Sequence, residues 1–469
     1  MSIDRLSRRR LLARAGMGFG TVAASSLLPA AVNPLASKKP HAAPRAKAVI
    51  YLFMHGGVSH VDTWDPKPEL ARLSGQTLPA SFVGGLKTSR IDFTKAIVRG
   101  SPWAFHKHGQ SGIEVSELFP NIARHADDLV LIRSCHGDAF DHAPAMYLWS
   151  TGSQFPGKPC LGSWAAYGLG SENENLPAFV VMSDGAMKCG PQGYGAGYLP
   201  AVYQGTVFRA GHAPILYLAS PPGVSQHTQR TTLDFIGQMN QRHLVVRSGD
   251  DELEARLASY ELAFRMQSTA PDAVDLSQES TATRKLYGIG EGITDDFGHK
   301  CLLARRLVER GVRFVQLYSG THQGDDWDGA HNDLTGSHNR MAAKSDKPIS
   351  GLLTDLRARG LLDSTLVVWS SEFGRTPLAE GRNGRDHHPY AFSMWMTGAG
   401  IEGGRVLGST DEFGLRPVQN PITAHDANAT ILRLLGMDHT RLTYFYQGRD
   451  QRLTDVHGEN EFSRFLLRA

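Results

Sequence analysis

Histidine and carboxylate residues recur together at four places in the chain, and the two side-chain types share one chemistry. The first group is His55-Gly56-Gly57-Val58-Ser59-His60, with Asp62 and Asp65 close behind. The second is His136-Gly137-Asp138 followed by Asp141-His142. The third runs from His322 through Asp325, Asp326 and Asp328 to His331, with His338 beyond. The fourth is Glu372-Phe373-Gly374-Arg375, then Arg385-Asp386-His387-His388. Imidazole and carboxylate bind divalent zinc, manganese or iron at neutral pH without redox-labile sulfur. Grouped, they polarise a phosphoryl or sulfuryl oxygen and activate a nucleophile. Arg375 and Arg385 add planar guanidinium forks suited to an oxyanion.

Other residues in these stretches read more plainly. Asp65-Pro66 is a turn or helix-cap signal, and Trp64, Trp149 and Trp327 read as core or wall residues. His425-Asp426 heads a helix, where an acidic residue is natural. No Gly-x-Ser-x-Gly elbow occurs, which disfavours a serine hydrolase of the α/β-hydrolase type. Gly398-Ala399-Gly400 and Gly403-Gly404 lack the strand-and-helix context of a dinucleotide site.

The groups need a frame to bring them together, and the apolar runs supply one. Ala48–Met54, Leu129–Ile132, Ala178–Met182, Val312–Leu317 and Thr365–Trp369 are continuous apolar or near-apolar stretches, the mark of buried parallel strands. They end at His55-Gly56-Gly57, Arg133-Ser134-Cys135-His136, Ser183-Asp184-Gly185, Tyr318-Ser319-Gly320 and Ser370-Ser371-Glu372. Helical patterns over Glu117–Asp127, Cys301–Arg310, Ile349–Arg359 and Ala424–Leu435 lie between or after them. Alternating strands and helices predict an α/β fold with a doubly wound, mostly parallel sheet, which binds ligands at the carboxyl ends of its strands. Residues 228–290 are polar and helical and read as an insertion flanking the site.

At 469 residues the chain can bury a large core without disulfide or metal staples. Four cysteines are scattered with no Cys-x-x-Cys pair, so no zinc ribbon or dense disulfide framework is expected. The formal net charge is +3, but Arg5, Arg8, Arg9, Arg10 and Arg14 against Asp4 hold a net +4 in residues 1–36. The remainder sits near −1, which gives no footprint for nucleic acid or an anionic membrane. Ser7-Arg8-Arg9-Arg10-Leu11-Leu12, then small apolar residues from Ala15 to Ala31, reads as a twin-arginine signal over residues 1–36. A Pro-marked linker over 37–47 and one large domain over 48–469 follow. The expected location is periplasmic or secreted, reached through the twin-arginine export machinery, with no membrane span in the mature chain.

From about residue 45 to residue 458 the chain resembles the exported domain-of-unknown-function 1501 family, which is related to sulfatases and alkaline phosphatases. The resemblance is carried by Leu52–Pro68, Gly109–His136, Asp141–Gly152, Trp327–Asp333, Val367–Pro377, Gly384–Pro389 and Gln447–Gly458. It implies a sheet of the alkaline phosphatase and sulfatase type, with metal ions at the strand ends and a nucleophile between them. On that pattern the metal ligands are Asp62, Asp328, His331, Glu372, His387 and His388. His142, with Asp141 before it, stands where sulfatases carry a Ser or Cys, and Glu372-Phe373 replaces an Asp-His. The implied catalytic set is His142, Asp141 and Arg375, with His55, His60 and Arg385 toward the substrate. The expected activity is metal-dependent hydrolysis of sulfate or phosphate esters, small or polysaccharide, using a metal-activated water or His142. Zinc, manganese and calcium are the candidate ions. The competing expectation is a non-catalytic envelope or polysaccharide-binding protein that keeps the fold.

Overall fold

The computed structural model describes residues 33–467 except 88–89, 184, 210–213, 216–217, 219–222, 247–250 and 322–324. The expected signal thus lies outside the described residues except for 33–36, and so do Asp184 and His322.

Each apolar run forms its strand. The central sheet comprises β1 (Ala48–Met54), β2 (Val130–Cys135), β3 (Phe179–Ser183), β4 (Thr206–Arg209), β5 (Phe314–Ser319), β6 (Thr365–Ser370), β7 (Phe392–Gly398) and β8 (Arg405–Leu407). Their order across the sheet is β8-β2-β7-β6-β1-β5-β3-β4. Neighbours run parallel except at β7, which is antiparallel to both β2 and β6. β1 is buried throughout because it has strands on both edges and helices on both faces.

Alternate side chains of β1 enter two cores. Ile50, Leu52 and Met54 pack with Leu302 and Leu307 of α5 (Asp295–Glu309) and with Ile349 and Leu353 of α6 (Leu334–Ala358). Val49, Tyr51 and Phe53 share the opposite core with Trp149 of α1 (His142–Thr151), Trp164 of α2 (Leu161–Leu169) and Leu432 of α7 (Ala424–Leu434). This is the doubly wound, mostly parallel sheet expected. Each fully buried large aliphatic residue contributes about 1.5–3 kcal/mol, so the layers hold without cross-links. The four cysteines are buried and unpaired. Trp64, Trp149 and Trp327 are core residues, as their neighbours in sequence suggested.

The polar edge follows from register. Met54 pairs with Ser319, Phe53 with Ser370, and Phe392 at the start of β7 with Cys135 at the end of β2. The carboxyl ends of the parallel strands and the amino end of the reversed strand therefore share one edge. α3 (Gln226–Val246) and α4 (Asp251–Val274) form the expected helical insertion, joined by an Arg230–Glu261 ion pair at 3.0 Å.

Two helix expectations need correction. Over Glu117–Asp127 only a short 3₁₀ stretch forms, Ile122–Asp128, because Pro120 disfavours helical backbone at Phe119 before it. The helix expected from Ile349 begins instead at Leu334 and runs through Pro348, its N-terminus capped by Asp333 accepting from Gly336 N at 3.0 Å. Among the described residues no helix is long and apolar enough to cross a membrane.

Candidate functional site

At the shared edge, six loops deliver side chains to one point. The turn after β1 brings His55 to Gly57, and the loop after β2 leads to His142 at the first turn of α1. The loop after β3 carries Lys188, and those after β5 and β6 carry Asp326–His331 and Glu372–Arg375. The segment before β7 carries His387. Gly56 makes the approach possible: its φ of 116° suits glycine, and a Cβ there would meet the backbone nitrogens of Trp327 and Asp328.

Asp328 stands at the centre. Its Oδ1 lies 3.0 Å from His142 Nε2, 3.1 Å from His387 Nε2, 3.3 Å from His331 Nε2 and 2.8 Å from Arg375 Nη2. Lys188 Nζ reaches its Oδ2 at 2.5 Å and Asp326 Oδ2 at 3.5 Å. Burial opposes ionisation of Asp328, but His142, His387 and Arg375 outweigh it and hold the carboxyl well below the ordinary range. Its side chain is 25 % exposed, so the centre opens to solvent at this carboxylate.

Each imidazole is backed by an acceptor on its other nitrogen. His142 Nδ1 donates to Glu372 Oε1 at 2.7 Å, His387 Nδ1 to the Phe140 carbonyl at 2.7 Å, and His331 Nδ1 to Glu380 Oε2. A carboxylate or carbonyl only accepts, and Asp328 Oδ1 stands on the Nε2 side of all three rings, so each ring lies between two acceptors. Burial, then the Arg375 charge, pushes His331 down to about 2 and His387 down to about 4, so both rings are neutral. Their Nε2 atoms face one another at 2.8 Å beside the Asp328 oxygen. Burial lowers the His142 pKa, but Asp328 and Glu372 outweigh it and raise it. His142 Nε2 is buried and lacks a hydrogen bond of good geometry, despite its 3.0 Å approach to Asp328. This corner attracts positive charge.

Among the described residues two sets of donor atoms lie close enough to share an ion: His142, Asp328 and His387, and His331, Asp386 and His387. Asp386 is fixed by backbone donors, Arg90 N at 2.7 Å onto Oδ2 and His387 N at 2.8 Å onto Oδ1. Acceptor-backed histidines with a carboxylate between them form a donor set that suits a divalent metal ion.

The expected residues divide. His142, Asp328, His331 and His387 converge, and Glu372 supports His142 from behind, held near 2 by His142 against the effect of burial. Burial lowers the His55 pKa; its ring stands 6.3 Å from that of His142, and its Nε2 faces Lys188 N at 3.4 Å. Arg375 is wholly buried and spends its donors on the Gly56, Gly57 and Arg385 carbonyls and on Asp328, so it orients the carboxylate rather than meeting a substrate.

The rest lie elsewhere. Asp62 and Arg385 form a fully buried pair, Nε to Oδ2 at 2.7 Å and Nη2 to Oδ1 at 3.1 Å, away from the metal-ligand sets. His60 and His388 stack at 6.0 Å and donate from Nε2 to the carbonyls of Gly414 and Leu415. Asp141 is the exposed N-cap of α1. Lys188, Glu380 and Asp386 join the site without having been singled out as site residues. Lys188 could have been reached by following the β3 loop beyond Gly185, whereas nothing around Glu380 marks it.

No curated protein matches the chain. Among solved structures it is similar to a sulfatase from Pseudoalteromonas sp. (13 % identity over 93 % of this chain and 78 % of that one, TM-score 0.38). It is also similar to alkaline phosphatase from the Antarctic bacterium TAB5 (12 % identity, 85 % and 99 %, TM-score 0.34). A third is the lipoteichoic acid synthase LtaP from Listeria monocytogenes (9 % identity, 90 % and 79 %, TM-score 0.35). The sequence profile described as a protein of unknown function, DUF1501, matches residues 46–461. The chain belongs to the DUF1501 family.

Proposed function

We propose that the protein is an exported, metal-dependent hydrolase of sulfate or phosphate esters. The observation that carries this reading is the pair of neutral imidazole nitrogens, His331 Nε2 and His387 Nε2, facing each other at 2.8 Å beside Asp328 Oδ1. Two neutral rings carry two protons on four nitrogens, so lone pairs remain there for a cation to take. His142, Asp328, His331 and His387 would hold the ion, with Asp386 within reach. An imidazole-rich set suits zinc or manganese better than calcium, which takes oxygen ligands. Such an ion supplies Lewis acidity toward an ester oxygen and a nucleophile at neutral pH.

The chain's own residues divide the remaining work. Glu372 fixes the tautomer and ring plane of His142, and Glu380 does the same for His331. Lys188, with its flexible stem and 14 % side-chain exposure, can swing from Asp328 to an anionic ester oxygen. Arg375 holds Asp328 in place through its contacts with the β1 turn. Export rests on the arginine-led N-terminal stretch, and proteolytic removal of that stretch is checked by N-terminal sequencing of protein from the cell envelope.

Elemental analysis of the purified mature protein and of His387→Ala tests the reading. About one or two equivalents of zinc or manganese in the wild type, lost in the variant, and cleavage of aryl phosphate or aryl sulfate support it. A wild-type protein that stays metal-free after reconstitution and turns over neither ester sinks it and favours a non-catalytic binding role.

A further inference from the structure

Along the chain segment that follows Lys188 runs a groove of about 1020 Å³ whose walls come from four parts of the chain. One wall is the loop Pro191–Leu199, another the residues Tyr444 and Tyr446, a third Arg256 and Ser259 on α4, and the fourth Pro156, Gly157 and Lys158. The loop is the continuation of the Lys188 segment. Consecutive Cα atoms are about 3.8 Å apart, so Pro191 in the groove wall lies within about 11 Å of Lys188 beside Asp328. Tyr147 of α1 holds the connection by donating from Oη to the Cys189 carbonyl at 2.9 Å.

Aromatic rings line this groove in a near-parallel set. Tyr198 lies 4.9 Å from Tyr446 and 6.2 Å from Tyr444, each at 16° between planes. Trp164 meets Tyr198 edge-on at 6.3 Å, and Tyr167 meets Tyr444 edge-on at 5.7 Å, so the set is braced from the core side. Tyr446 is 38 % exposed. The charged lining residues are Lys158 and Arg256, both cationic; Asp455 answers Lys158 at 3.5 Å from outside the lining, and Arg256 is exposed.

We propose that this groove is a subsite for an anionic carbohydrate chain, a sulfated or phosphorylated polysaccharide whose ester group reaches the Asp328 cluster. The inference rests on the ester-hydrolase reading and extends it to the class of substrate. Sugar rings present C–H faces that pack on the electron-rich faces of tyrosines, and their hydroxyls bond to phenol and amide edges such as those of Gln192 and Gln204. The cationic lining selects an anionic chain over a neutral one. The groove stands at the upper end of ligand-pocket volumes, roomy enough for more than one linked unit. A single-stranded nucleic acid also stacks on aromatic rings in basic grooves. Two cations in a chain whose body is near charge balance make a weak backbone track, and continuity with an ester-binding centre favours the glycan.

The test is the affinity of the full mature protein for labelled dextran sulfate, plain dextran and an oligothymidylate at physiological salt. The expected result is binding of dextran sulfate, weaker binding of dextran, and a loss of about tenfold or more in Tyr446→Ala and in Arg256→Glu. Tyr446→Phe keeps the ring and should keep the affinity. Dextran sulfate binding unchanged in both variants, or tighter binding of the oligothymidylate, overturns the proposal. Aryl-ester turnover on the same samples separates the two readings. Turnover with no Tyr446-dependent glycan binding removes the groove alone. Tyr446-dependent binding by a protein with neither metal nor turnover removes the hydrolase reading and leaves the groove as a glycan site.

Discussion

Glu372→Gln isolates the carboxylate behind His142 with little disturbance of the fold. Glu372 is 2 % exposed, and its Oε1 accepts from His142 Nδ1 at 2.7 Å and Gly56 N at 2.8 Å. A glutamine carbonyl keeps both bonds. Its amide group then faces Ser371 Oγ, which can accept because it donates its own proton to the Met54 carbonyl at 2.7 Å. What disappears is the negative charge that makes His142 Nε2 a stronger donor. Supporting partners of this kind are worth about 10–100-fold in metal affinity, or roughly 1.4–2.7 kcal/mol. The assay is competitive titration of chelator-stripped protein with zinc against a chromophoric chelator, beside a thermal melt of both apo forms. Weaker zinc binding by one to two decades with an unchanged apo melting temperature is expected. Equal zinc affinity in the two proteins would refute the placement of His142 as a ligand, and a collapsed melt would move Glu372 from tuning to scaffolding.

Two further perturbations address a buried ion pair apart from that centre and the lysine beside it. Asp62→Ala strips the partner from buried Arg385 and should cost about 3–5 kcal/mol in urea unfolding. The Asp62 pKa is lowered because Arg385 and Ser59 outweigh burial. Its contribution is therefore complete above the unfolded value near 3.9 and lost as pH falls through the lower folded value, so unfolding midpoints should be level from about pH 7 to about 5 and fall only at lower pH. Midpoints that already decline above about pH 5 would assign the acid sensitivity to other groups. Lys188→Met should raise KM for an aryl phosphate or sulfate by about tenfold or more while metal content stays unchanged, since a charged hydrogen bond is worth about 1.5–3 kcal/mol. An unchanged KM would leave Lys188 as a partner of Asp328 alone.

Much of this architecture is legible in the sequence because buried parallel strands need unbroken apolar runs. The residues after each run are polar for a reason that also locates the site. His142, Asp328, His331 and Glu372 follow from those strand ends. His387 lies at the same edge for a different reason: β7 is reversed, so its amino end meets the carboxyl ends of the others. Two of the residues that stay outside the cluster, His388 and Asp141, are immediate neighbours of residues that enter it. His387 and His388 are successive residues of an extended segment, so their side chains leave on opposite faces. One reaches Asp328 and the other stacks on His60. Asp141 stands exposed at the N-cap position of α1 while His142 begins the helix facing inward. Asp62 and Arg385 pair across 323 positions, a distance no local pattern reveals. The helix ending near Arg359 extends back through a proline because its capping aspartate, not the proline, sets where it starts.

Charge balance joins these parts into one argument. Buried carboxylates persist when cations or protons answer them. Asp326, Asp328, Glu372, Glu380 and Asp386 stand in the centre and its supports, while Arg375, Lys188 and Arg90, which is 3.5 Å from Glu380, answer them. With His142, His331 and His387 all counted as neutral, these groups carry an excess of about two negative charges. Burial raises the Glu380 pKa, and the surrounding acids raise that of His142, so protons meet part of the excess at low pH. A divalent ion meets all of it, through the nitrogen of His142 that a proton would otherwise take. Protons and metal then compete, and zinc affinity should climb as pH rises from about 6 to about 8, with protons released on binding. Calorimetric titration in two buffers of different ionisation enthalpy reads that release directly. Zinc binding that releases no protons and is level across this range would mean that the ion sits elsewhere and that the excess charge is carried by the cluster unaided.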